Sequence, residues 1–462
     1  MIIRIHSKEK LIPELIYIFD TLLSQFLRVE WIYERSNSKF FNISIDGCSG
    51  IIKTPSIFFS DYEKKRMRKE SLPLEKCQLW NANQLKLDIK LVNNQVPAIF
   101  NDRKLKAHLN KENIYLPIDI FGSSFFILSM YEENLKRKFD EYGRFSAFQS
   151  YAYQNKFLLR PIVDEYLEIL KSSINFLSKD SLINHVNERI INPTCDVDLL
   201  FMYGNKIFSS SKKFFLKMLI TRKKENLINE AKLFFNSLLN NYEIDPFLKS
   251  IYWIMSQNEK KDNLVTFYFL TSFNHKNDGF YDLDSKILRK TLREIYYRGH
   301  QIGLHLNYKS YINNSLTKFQ VDKFRKILKE EKICLKGIHS RQHYLRWKNS
   351  LTARNLEKAG INTDSSLTYA DYPGFRVGTG REFFIFDLIK RRKTNLLERP
   401  LVFMDNSVFD EKYMGLDYSD ETFDFINNIK QTSLEFSGRF TFLWHNSELE
   451  NSRSKEFYLN LI

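Results

Sequence analysis

The chain has 462 residues, 43% of them apolar and 15% aromatic; this is material for two or three domains and excludes both a disordered chain and a small disulfide-stapled scaffold. Seventy Lys and Arg against 55 Asp and Glu leave a formal charge of +15. Glycine, at 15 residues, lies well under the roughly 7% usual in proteins while Lys, Asn, Ile, Phe and Tyr are inflated, so the charge follows a composition bias and no nucleic-acid partner is expected.

In chain order, the opening MIIRIHSKEKLIPELIYIF interleaves charges with apolar residues and lacks the apolar run and cleavage site of a signal peptide, so a cytoplasmic location is expected. Residues 1–165 read as an α+β domain of unknown role, with β-like runs at Phe41–Ile45, Ile51–Ile52, Ser56–Phe59 and Leu87–Val92. LPIDIFGSSFFILSMYEE, at 116–133, carries apolar residues at helical spacing from Ile118 and predicts a buried helix. Arg160-Pro161 opens IVDEYLEILKSSINFL, a helix expected to bridge two domains.

From about residue 185 short apolar runs alternate with helical patterns. The runs are Arg189–Pro193, Leu264–Thr271, Gly299–Leu306, Cys334–His339, Gly360–Asp364, Leu401–Asp405 and Thr441–His445. Helices are expected at Lys286–Arg298, Leu316–Glu331, Thr352–Lys358 and Asp420–Thr432, and a helical insertion at about 200–262. This alternation predicts an α/β fold with a parallel sheet, a closed or nearly closed, distorted (β/α)7-type barrel over 185–462 rather than an open doubly wound sheet.

No GxGxxG or GxxxxGK[ST] sequence follows a strand, which excludes the common nucleotide-binding loops, and no run of about 18 uncharged apolar residues marks a membrane span. Cys48, Cys77, Cys195 and Cys334 are scattered without a CxxC pair, which fits a reducing compartment and excludes a cysteine zinc site. The basic stretches Lys212–Lys224 and Lys390–Lys393 read as solvated faces, with peripheral contact to an anionic membrane surface the other reading.

Chemistry is expected at the C-terminal ends of barrel strands, and polar clusters fall there. Asp196 and Asp198 in TCDVD either hold a metal and take a proton from water, or cap and solvate the chain end. His305 closes GHQIGLH as a candidate ligand, while His300 points to the opposite face and reads as structural. In HSRQHYLRW, Arg341 is suited to orient a carboxylate, His343 to complete a metal shell, and Tyr344 and Trp347 to form a wall for a sugar ring. His445 in LWH is placed as a general acid, with Asp364 and Asp371 as candidates to orient it.

The succession TCDVD, VTFYFL, GHQIGLH, SRQHYLR and LWH resembles the five-motif NodB-homology pattern of polysaccharide deacetylases, carbohydrate esterase family 4, over roughly 185–450. LPIDIFGSSFFILSMYEE, DPF, GLHLNYKSY, DSSLTYADYPGFRVGT and LVFMD resemble a bacterial subgroup with an uncharacterised N-terminal domain, often found in surface-polysaccharide or lipopolysaccharide gene sets. The resemblance implies Asp196 as catalytic base, Asp198 and His305 as metal ligands, Arg341 as tether of the base and His445 as general acid. It also implies a divalent ion, zinc foremost, and a carbohydrate substrate, nucleotide- or lipid-linked, contacted by Tyr344, Trp347, Asp364, Tyr369 and Arg376.

The pattern departs at Lys309, where a second histidine ligand is expected; an ammonium has no lone pair, and His343 is the substitute. The expected activity is therefore metal-dependent removal of an N-acetyl or related acyl group from a sugar. The alternative is a degenerate barrel that binds glycan or acts as a scaffold.

Overall fold

The structure is a computed structural model, and it describes residues 1–110, 112–136, 138–178, 183, 188–203, 214, 224–239, 241–449 and 451–462. The basic stretch at 212–224 lies outside them except for Phe214 and Lys224. The expected insertion at 200–262 is described in part, as helices Lys224–Leu238 and Pro246–Glu259. The second starts where Asp245 accepts the N–H groups of Phe247 and Leu248 and Pro246 supplies a pre-set first position.

The first block contains strands β1 (Ile2–Ser7), β2 (Glu30–Arg35), β3 (Phe40–Ile45), β4 (Ile51–Pro55), β5 (Gln78–Asn81), β6 (Gln95–Ala98), β7 (His108–Leu109) and β8 (Asn113–Tyr115). Six of them form a mixed sheet in the order β2-β1-β3-β4-β8-β7. Two expected runs are not strands: at 56–59 the N–H groups of Ile57 and Phe58 are taken by the Asp119 carboxylate, and the strand expected at 87–92 lies later, as β6. The helix Ile120–Leu128 is buried on every side, as its apolar sequence requires, and Asp119 caps it through the Gly122 N–H.

The second sheet collects β9 (Ile190–Val197), β10 (Thr266–Leu270), β11 (Gln301–Leu306), β12 (His339–Gln342), β13 (Thr363–Asp364), β14 (Phe383–Asp387), β15 (Arg392–Glu398), β16 (Phe403–Met404) and β17 (Arg439–Leu443). Its order is β14-β15-β13-β12-β11-β10-β9-β17-β16, and every neighbouring pair is parallel except β14 with β15. Where the alternation predicts a closed or nearly closed barrel, the described residues form a curled half-barrel sheet whose flanking strands β14 and β16 do not pair, with an extra β14–β15 hairpin on one side. The sheet is strongly curled. Residues 399–402 alone carry the chain from β15 to β16, on the far flank, so those strand ends lie within roughly 18 Å of each other.

One continuous apolar core runs through both regions. Tyr17 and Phe125 of the first block pack on Phe386 of β14, with ring centroids 4.9 and 5.3 Å apart. Ion pairs reinforce the contact: Arg376 with Glu133 at 2.8 Å, Arg381 with Asp164 at 2.7 Å and Arg391 with Glu14 at 2.8 Å. Asp164 lies on the expected bridging helix, observed at Ile162–Ser178, so that helix joins the two regions by packing as well as by chain connection. Among the described residues no helix is long and apolar enough to cross a membrane.

Candidate metal centre

Parallel strands aim their C-terminal ends at one rim of the curled sheet, and the polar clusters of the sequence meet there. Asp196 and Asp198 come from the end of β9, His305 from β11, Arg341 and His343 from the end of β12, and His445 from just beyond β17. With Asp278 and Asn406 they line one cavity of about 400 Å³, except for Arg341, which lies fully buried behind it.

Asp198 stands between the imidazoles. Its Oδ1 is 3.1 Å from His305 Nε2, and its Oδ2 is 3.4 Å from His343 Nε2 and 3.9 Å from His445 Nε2. His305 Nδ1 faces the Arg341 carbonyl oxygen at 3.0 Å; a carbonyl only accepts, so Nδ1 carries the proton and Nε2 keeps a lone pair. His343 Nδ1 likewise meets the Asp278 carboxylate at 2.9 Å. The donor atoms of Asp198, His305 and His343 all lie within 4.8 Å of one another. Asp198 Oδ1 is buried without a donor. Lone pairs that close repel unless a proton or cation stands between them, and two imidazoles with a carboxylate are the ligand set a zinc-like ion takes. These residues fit a divalent ion.

The electrostatics agree. Burial pushes the Asp198 carboxyl up, but the positive charge of His343 and the neighbouring His305 ring hold it well below the usual carboxylate range. Burial would lower His343, yet the Asp198 and Asp278 carboxylates lift it to about 9. The site draws positive charge.

Two further pairs flank it. Arg341 Nη1 donates to Asp196 Oδ1 at 2.9 Å and to Thr194 Oγ1 at 2.8 Å, while Nε and Nη2 are spent on Ser365. That leaves Asp196 Oδ2 turned to the cavity side, 3.6 Å from His305 Nε2. The Arg341 guanidinium lies 4.5 Å over the Tyr268 ring, and that ring has room only because its β11 partner is Gly303, where a Cβ would come within 2.4 Å of it. Gly279 performs a similar service: a Cβ there would stand 1.8 Å from the Asp198 carbonyl oxygen. Asp405 holds His445, whose ring burial would lower but Asp405 lifts to about 10.

The expected candidates divide. Lys309 is exposed at a turn, and His343 stands beside Asp198 and His305 instead. His300 is structural, with Nδ1 accepting the Val265 N–H. Asp364 and Asp371 do not orient His445: Asp364 accepts from Ser340 and Ser366, and Asp371 from Ser146 and Ala147. Of the expected sugar-contacting residues only Tyr344 lines the cavity. Trp347 and Tyr369 are buried in the core, and Asp364 is fully buried. Arg376 is consumed by a bidentate pair with Glu133 and by the Thr368 carbonyl. Asp405 and Asp278 were missed. Asp405 closes the run LVFMD, and its position after an apolar strand was the available signal; Asp278 sits in a loop with none.

Fold and site together define an α/β protein with a carboxylate–histidine cluster of metal-ligand type at the strand ends. A family described as of unknown function (DUF7033) matches residues 2–179. Among solved structures, one described as a putative polysaccharide deacetylase from Mycobacterium smegmatis is 14% identical, covers 60% of this chain and 83% of its own, and has a TM-score of 0.36, a likeness too remote to bear on the chemistry. No curated protein matches the chain.

Proposed function

We propose that the chain is a metal-dependent hydrolase that removes an acetyl or related acyl group from an amino sugar, as in the making of surface polysaccharide or lipopolysaccharide, on a nucleotide- or lipid-linked substrate. The observation that carries this reading is the convergence of Asp198, His305 and His343 with two differently prepared acid–base groups, Asp196 and His445, on one cavity. The motif order TCDVD, GHQIGLH, SRQHYLR, LWH supports it from the sequence.

A divalent ion held by Asp198, His305 and His343 would supply Lewis acidity and a water acidified toward neutral pH. Asp196, held at Oδ1 by Arg341, takes the water's proton on Oδ2. His445, kept as imidazolium by Asp405, gives a proton to the departing amine nitrogen. The binding-only alternative rests on Lys309 at the expected ligand position; His343 beside Asp198 and His305 supports the hydrolase reading over it.

The test is acetate release by zinc-loaded protein from N-acetylglucosamine oligomers and from nucleotide-linked N-acetylhexosamines. Asp196→Asn is expected to cost about 10²–10⁴-fold in rate. An unaffected Asp196→Asn enzyme, or a zinc-loaded wild type that releases nothing, sinks the reading.

A further inference from the structure

Residues 140–144 belong to the N-terminal region that matches the family of unknown function, yet they reach the rim of the metal cavity, which Tyr142 and Arg144 both line. The turn is tightly built. Asp140 Oδ1 accepts the N–H groups of Tyr142 and Arg144 at 2.9 and 2.8 Å, and Gly143 sits at φ +72°, closed over by the Arg346 guanidinium. Such a turn is held before any ligand arrives.

The Arg144 guanidinium spends each nitrogen on a different part of the molecule. Nε bonds Asp140 Oδ2 at 2.7 Å, within the turn. Nη1 donates to the Tyr344 carbonyl at 3.2 Å, and Nη2 donates to the Tyr413 hydroxyl at 2.9 Å. Tyr344 directly follows the ligand-type His343 and sits at φ 61°, a left-handed conformation that a tyrosine keeps only when its surroundings hold it. The Tyr142 ring backs the Tyr344 ring with centroids 5.0 Å apart, and Lys412, next to Tyr413, pairs with Glu141 at 2.5 Å. Tyr344 and Tyr413 both line the cavity but come from segments 69 positions apart, and the turn ties them to each other.

We infer that the turn 140–144 is the substrate-facing clamp of the metal cavity, with Arg144 the positioning residue that joins Tyr344 to Tyr413 and sets the slot an acylamino-pyranose ring enters. The inference rests on the hydrolase reading of the cavity and gives the N-terminal region a part in substrate selection. Flat phenolic rings offer an apolar face and a hydroxyl, which suits a sugar with alternating C–H and O–H surface.

The probe is the N-acetylglucosamine trimer, titrated calorimetrically into zinc-loaded full-length protein, with zinc content measured on the same samples. Arg144→Ala is expected to weaken trimer binding about tenfold, because Tyr344 and Tyr413 lose their common tether, with the bound zinc unchanged. Arg144→Lys is expected not to rescue it, because one ammonium cannot span both tyrosines in a fork. Should Arg144→Ala fail to fold or lose zinc, Asp140→Ala decides, since it unties the turn and Arg144 Nε without lining the cavity: weaker binding upholds the clamp and wild-type binding overturns it. Unchanged trimer affinity in zinc-replete Arg144→Ala, or no binding by wild type, also overturns it. Binding that depends on Arg144 without any acetate release leaves the clamp standing and defeats the hydrolase reading instead.

Discussion

Both oxygens of Asp405 are committed to His445: Oδ2 accepts its backbone N–H at 2.6 Å and Oδ1 meets its ring Nδ1 at 2.8 Å. The backbone bond fixes where the ring begins and the ring bond fixes its tautomer, so Nε2 is the atom presented to the cavity. The pair also fixes the proton, because the folded ring titrates at about 10 against 6.5 for a free imidazole. A raised pKa stabilises the fold fully below pH 6.5, and that contribution is lost as pH rises through about 10. Asp405→Asn should therefore move the alkaline limb of kcat/KM to lower pH, toward 6.5. An unmoved limb would show that His445 is not the acid.

Metal content separates His343 from Lys309. Asp198→Ala, His305→Ala and His343→Ala should each abolish stoichiometric zinc measured by elemental analysis, while Lys309→Ala retains it, because Lys309 is exposed and the other three converge. Chelation of wild type should lower its Tm, since an ion that binds only the folded chain stabilises it.

Arg341 is fully buried and holds Asp196, so Arg341→Met strands a buried carboxylate. The cost expected is about 3–5 kcal/mol in denaturant unfolding. Replacing both partners, Arg341→Met with Asp196→Leu, should recover much of that stability without recovering activity.

Arg376 supplies a contrast. Its bidentate bond to Glu133 is buried between the N-terminal region and the sheet. Arg376→Ala is expected to lose about 3–5 kcal/mol of stability while zinc stoichiometry holds. Normal stability with impaired sugar binding would return Arg376 to the substrate side.

Gly279→Ala should weaken zinc binding by about 10–100-fold, as displacement of a ligand's support does, because its Cβ lands on the Asp198 carbonyl. Full zinc affinity would mean the loop yields without moving Asp198.

The strands that carry the site were legible because buried parallel strands read as apolar runs: β9, β10, β11 and β17 lie within or beside the expected segments. β12 begins where the expected run 334–339 ends. Its residues His339–Gln342 are polar, and the apolar run before it, 334–338, forms no strand. Polar residues are tolerated there because partners wait for them, Asp364 for Ser340 and Asp196 for Arg341, and a local window of sequence cannot contain partners 24 and 145 positions away. β1 buries Ile3, Ile5 and Ser7 in strict alternation, but its outward Ile2 hides that period in the sequence, and the β14–β15 hairpin lies outside the expected runs.

Residue type and spacing along the chain determined which groups could do chemistry: carboxylates, imidazoles and an arginine at the ends of apolar runs. Only the tertiary structure decided their partners. It put Asp405 rather than Asp364 or Asp371 on His445, His343 rather than position 309 beside His305, and a turn from the N-terminal region at the cavity rim. Ligand character belongs to a side chain and can be read singly. Partnership depends on distances of a few ångströms between residues far apart in sequence, and those are set by the curl of the sheet and the packing against it.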